Sequence, residues 1–85
     1  MTTIEHHGKY RPLWQFLKNS DEQALPMTFG DVERVLGFPL PNSSRKHPAH
    51  WSRYDGSAVA RAIRDAGWKA TNVDLNAQTV TFIRL

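Results

Sequence analysis

The sequence predicts one small α+β domain in which three or four helices precede a C-terminal β-hairpin. Three observations lead to this. Apolar residues recur at helical spacing in "YRPLWQFLKNS", "FGDVERVLG" and "AVARAIRDAG". Each helical stretch carries a start or stop signal. The last 18 residues change to strand-like alternation around a polar "NAQ" turn.

The chain has 85 residues, enough for one modest core, and no cysteine, so neither a disulfide framework nor a thiolate zinc site supports the fold. Nine aromatics, three of them tryptophan, must therefore supply much of the buried area. Residues 1–9, including His6 and His7, show no periodicity and read as a tail, leaving 10–85 as the single domain. In the first helix Pro12 suits a first-turn position, and Leu13, Phe16 and Leu17 fall on one face, with Trp14 extending it. "ALPMTF" reads as a short edge strand, because Pro26 has no N–H to donate.

Thr28 then reads as an N-cap with Asp31 as its reciprocal acid. The second helix buries Phe29, Val32, Val35 and Leu36 and stops at Gly37. "FPLPN", with two prolines in five residues, is non-helical, and its Phe38 and Leu40 cover the core. Ser57 caps the third helix, which turns Val59, Ile63 and Ala62 or Ala66 inward and sets Ala60, Arg61, Arg64 and Asp65 on or near the outer face. In the hairpin, Trp68, Ala70, Asn72 and Asp74 alternate with Lys69, Thr71, Val73 and Leu75. In its second strand Val80, Phe82 and Arg84 oppose Thr79, Thr81, Ile83 and Leu85.

Helix, strand, helix, helix, strand, strand is the element order of a winged helix-turn-helix domain, so the expected architecture is winged-helix-like. One feature departs from that pattern. About twenty residues separate Gly37 from Ser57, against three or four between the two helices of such a motif. Either "SSRKHPAHW" adds a short helix, or the motif is only winged-helix-like. A sandwich of three helices on a hairpin is the alternative.

Together these segments resemble a bacterial and phage domain family that is itself of unknown function. Its pattern is a Y-x-P-L helix, an L-T-F capping step, an L-G-x-x-L-P-x-S-x-R-K-H turn, a tryptophan, an A-R-A helix, and A-G-W and V-D-L strands. Here the matching segments are "YRPLW", "MTFGDVERVLGFPLP", "SSRKHPAHW", "ARAIRDAGW", "VDL" and "VTFIRL", within residues 10–85. The resemblance implies the domain boundaries and no activity. At the positions of Pro48 and His50 the family tends to a basic and an aromatic residue, whereas here the basic charge is shifted to Arg53. That gives weight to the cluster as a surface over any one cation.

Charge is uneven. Residues 1–42 carry four cations, Lys9, Arg11, Lys18 and Arg34, against five acids, and residues 43–85 carry seven cations against Asp55, Asp65 and Asp74. A basic half on a small domain is the usual footprint of a polyanion partner. The candidate nucleic-acid-binding residues are Arg45, Lys46, Arg53, Arg61, Arg64 and Lys69, with Arg84 extending the set along the hairpin. The plain alternative gives Arg61 and Arg64 surface pairs with Asp65 or Asp31, each worth under ~1 kcal/mol.

His47 and His50 are three apart, but Pro48 lies between them and no third ligand is in place, so no metal or other cofactor is expected. A hydrolase needs a base with an orienting carboxylate. Asp55 is the only acid near the cluster, and "RYDGS" reads as a turn into the Ser57 cap, so no catalytic residue is expected and the chain is read as a non-enzyme. Trp51 and Trp68 read as core anchors. No membrane-spanning run or signal-peptide core is present, so a cytoplasmic location is expected. The expected partner is DNA, with RNA second. The alternative is a protein-interaction module, an adaptor or inhibitor, or a homodimer joined through an exposed edge of "TVTFIRL".

Overall fold

The structure is a computed structural model and describes residues 8–52 and 57–85. His6, His7, Arg53 and Asp55 lie outside the described residues, and with them the expectations placed on them. Three helices, α1 (Arg11–Lys18), α2 (Phe29–Leu36) and α3 (Ala58–Asp65), combine with strands β1 (Ala24–Thr28), β2 (Trp68–Asp74) and β3 (Thr79–Arg84). Two 3-10 turns, Asn42–Arg45 and Pro48–Trp51, occupy the long connection between α2 and α3.

In α1, Leu13, Trp14 and Leu17 are buried, and Tyr10 just before the helix joins them. These four residues follow the i, i+3, i+4, i+7 spacing of one helix face. Phe16, expected inward, is 40% exposed instead. The stripe starts one turn earlier than "LWQFL" alone suggests, and starting it at Tyr10 rotates Phe16 off the core.

The start of α2 is set by side chains. The Thr28 hydroxyl accepts the Asp31 N–H at 2.9 Å, and the Asp31 carboxylate accepts the Thr28 N–H at 3.1 Å, completing a capping box. That N–H holds the Asp31 carboxyl below its usual range, helped by the Thr28 hydroxyl and by Arg34. The helix ends at Gly37, whose φ of 84° is left-handed and strained for any residue with a Cβ. Ser57 caps α3 by accepting the Ala60 N–H at 3.3 Å.

The sheet is antiparallel in the order β1-β3-β2. Pro26 sits in an edge strand, where its missing donor costs no ladder bond. β3 is the central strand, paired on both sides, so the expected homodimer edge along "TVTFIRL" does not exist. The hairpin register runs Trp68↔Arg84 to Thr71↔Thr81, then slips before Asp74↔Thr79. Asn72 lies at the slip with φ 51°. An extra residue inverts the alternation beyond it. Trp68 and Ala70 face inward before the slip, Val73 and Leu75 pack on the core after it, and Asn72 and Asp74 are exposed. The unbroken alternation expected along β2 is thus corrected by the bulge.

Helix α1 packs on both α2 and α3, and α3 lies against β2 and the second 3-10 turn. Phe29, Val32, Trp51, Val59, Ile63, Trp68, Val80 and Phe82 form the centre of the core. The Trp51 indole stacks on Phe29 at 5.1 Å and 25°, and its N–H donates to the Ser44 carbonyl at 3.1 Å. Trp51 therefore pins its turn of the connection onto the core, in which Leu40 of the same connection is also buried. Among the described residues no helix is long and apolar enough to cross a membrane.

Candidate nucleic-acid interface

The cations fall into two sets, those that pack on rings, carbonyls or carboxylates of the fold and those at exposed positions. Arg45, at the end of the first 3-10 turn, turns inward. One of its terminal nitrogens lies 3.2 Å from a Glu33 carboxylate oxygen, and its guanidinium sits 5.8 Å from the centre of the Phe29 ring. The same Glu33 oxygen accepts the Leu40 N–H at 2.7 Å. One carboxylate of α2 thus fixes both the chain leaving that helix and the turn that follows. The other terminal nitrogen of Arg45 and the Ser44 hydroxyl are buried with no hydrogen-bond partner among the described residues.

Arg84 also serves the fold. Its guanidinium lies 5.1 Å over the Trp68 ring, donates through Nε to the Glu22 carbonyl at 3.1 Å, and donates through a terminal nitrogen to the Ser20 carbonyl. It clamps the α1–β1 connection to the hairpin and does not extend a basic patch along it. Lys18 lies 4.6 Å over Trp14, and Lys9 lies 4.9 Å over Phe38. Asp31, one of the acids expected to neutralise α3, pairs at 2.8 Å with Arg34 on its own helix.

The second set is exposed at the surface. Lys46 is exposed just after the first 3-10 turn. Arg61 and Arg64 are exposed on α3, three residues apart, while Val59, Ala60, Ala62 and Ile63 are buried. Ala60 was expected outside. It is 2% exposed because α3 is covered by the sheet and by the Trp51 turn as well as by α1. The outer face of α3 is therefore a narrow strip led by Ala58, Arg61 and Arg64. Lys69 is exposed on edge strand β2.

Arg64 and Lys69 border a recess of ≈ 90 Å³ completed by Trp51, Ser52, Ala60, Ile63 and Ala70. Strand alternation places the Lys69 Cβ opposite Trp68 and Ala70, so Lys69 meets the recess from the strand edge. Ser52 lies outside the charged cluster that the sequence points to. Only the folding of the connection beside α3 gives it a place, and no local sequence signal marks that.

His50 is half-buried and edge-on to Trp51, with ring centres 6.2 Å apart. Burial, then the nearby His47, holds its pKa below the ordinary histidine value. Among the described residues no three His, Asp or Glu side chains are grouped to hold a metal ion. Elsewhere, Pro12, Gln15, Phe16, Asn19, Ser20 and Val35 line an open groove of ≈ 570 Å³ between α1 and α2. It was not foreseen, because Phe16 was assigned to the core.

Residues 10–85 match the sequence model of a family described as Domain of unknown function (DUF7662). The chain belongs to this family. The match begins at Tyr10, the first residue of the buried α1 stripe, so the DUF7662 boundary coincides with the start of the packed core. No curated protein and no solved structure matches the chain.

Proposed function

We propose that this domain is winged-helix-like and binds nucleic acid, duplex DNA before RNA, as a small regulatory module. The strand order β1-β3-β2, with a terminal hairpin beside α3, is the arrangement this reading requires. The observation that carries the reading is the outer strip of α3, where Arg61 and Arg64 stand exposed one turn apart. Arginine forks at that spacing suit phosphate oxygens or guanine edges. Lys69, which borders the same recess as Arg64, adds charge beside the strip, and Lys46 is exposed on the connection, whereas Arg45 belongs to the fold. The hairpin turn, Leu75 to Gln78, carries no cation and follows Asp74, so the wing contributes shape more than charge.

The test is binding of labelled generic duplex and single-stranded DNA at about 50 and 200 mM salt, where several phosphate contacts lower affinity steeply as salt rises. No binding to any duplex at the lower salt, with the protein shown to be folded, removes the reading.

One observation favours a second reading, a protein-interaction module. The groove around Phe16 leaves a large aromatic side chain partly in water. Phe16→Ser separates the two readings: it leaves DNA binding unchanged if α3 is the interface and abolishes capture of a protein partner if the groove is.

A further inference from the structure

We propose that the recess between α3, β2 and the second 3-10 turn seats one backbone phosphate, gripped jointly by the Arg64 guanidinium and the Ser52 hydroxyl. This rests on the nucleic-acid reading and adds to it a specific ligand group and a residue, Ser52, outside the charged cluster. The recess has an apolar floor of Trp51, Ala60, Ile63 and Ala70, and among the described residues the charged groups that line it are Arg64 and Lys69. No carboxylate lines it among the described residues. A floor of low polarity strengthens the attraction between a cation at the rim and an anion beside it. At ≈ 90 Å³ the space holds a few waters or one tetrahedral anion, and a base plane does not lie within it.

Ser52 is held for this role by its neighbours. Its backbone N–H already donates to the Ala49 carbonyl at 3.1 Å, closing the 3-10 turn, which leaves its side-chain hydroxyl to address the recess. The residue before it, Trp51, is 1% exposed and tied to Ser44, so the turn cannot drift. The Ala60 side chain, the smallest with a Cβ, keeps the floor low where a longer one would fill the space. Arg64 comes from the last turn of α3, so helix and connection meet at the same anion.

The experiment is a double-mutant cycle on duplex affinity with Ser52→Ala and Arg64→Gln, both at exposed positions, with thermal midpoints confirming that each variant is folded. Each single change is expected to weaken binding roughly 3- to 10-fold on every duplex sequence. The double variant is expected to bind no more weakly than Arg64→Gln alone, because both changes empty one phosphate seat. Arg64→Gln alone also reduces the salt slope by about 0.9, while Ser52→Ala leaves it unchanged. If the two losses multiply, or if Ser52→Ala binds like the parent, the shared seat is overturned and the nucleic-acid reading stands. If the folded parent binds no duplex at about 50 mM salt, both fall together.

Discussion

Arg45 and Arg64 are both arginines near the end of a short helical turn, and their surroundings send them in opposite directions. Arg45 lies beside the Glu33 carboxylate and over the Phe29 ring, and it joins α2 to the connection that follows. Arg64 stands on the outer strip of α3 beside a recess that no described carboxylate lines. Arg84 repeats the first pattern and Arg61 shares the exposure of the second. The lesson is that formal charge in the C-terminal half overstates the surface available to a polyanion. An arginine with a long apolar stem and a planar head is as useful for covering an aromatic ring and tying down carbonyls as for meeting phosphate.

The inward region should respond to mutation through stability. Trp68→Ala removes a side chain that is 1% exposed and is also the ring beneath Arg84, so it should cost roughly 3–5 kcal/mol in denaturant unfolding. In a domain of this size that is a large share of the total. A midpoint that barely moves would place the indole outside the core and would break the inward half of the comparison.

A smaller loss is expected at Arg45. Arg45→Ala leaves Glu33 without its cation and uncovers Phe29, at about 1–2 kcal/mol, the lower end for a charged hydrogen bond because both side chains retain some solvent. Urea unfolding measures it. A neutral result would return Arg45 to the pool of surface cations.

Acid sharpens the same boundary. His50 has a depressed pKa in the folded state, so below its ordinary value of 6.5 the unfolded chain takes up the proton first and folding weakens as pH falls. Above that value both states are neutral at this residue and the effect vanishes. Asp31 acts with the same sign at lower pH: its folded carboxyl lies below 3.8, so the capping box stabilises above that value and fails as the carboxylate is protonated. Stability followed by circular dichroism should therefore decline between about pH 7 and 5, and His50→Gln should flatten that part of the curve. An unchanged curve would show that the histidine is solvated and that the connection is looser than its Trp51 anchor implies.

Much of this was legible locally. The Thr28–Asp31 box, the glycine stops, Pro26 on an edge and Trp51 as an anchor all follow from residues within a few positions of one another. The misreadings share a different cause. A stripe that starts at Leu13 puts Phe16 inside, whereas one that starts at Tyr10 turns it out, and the Tyr10 signal is local. Ala60, the bulge at Asn72, the Glu33–Arg45 pair and the Arg84 clamp depend on which elements lie across from each residue, and no spacing along the chain records that. The site suffered most, because whether a cation is available is decided by its neighbours in space.

The smallest expected effects on stability are at the outer strip, where Arg61→Ala and Arg64→Ala should each change it by no more than about 0.5 kcal/mol. Those same changes carry the decisive measurement, the slope of log affinity for a generic duplex against log salt. For the double variant Arg61→Ala, Arg64→Ala the account predicts a slope flatter by about two units, with the thermal midpoint kept. For Arg45→Ala it predicts a lower midpoint with the parental slope. The reverse pattern, a slope that flattens on loss of Arg45 and is untouched by loss of the α3 pair, would contradict it.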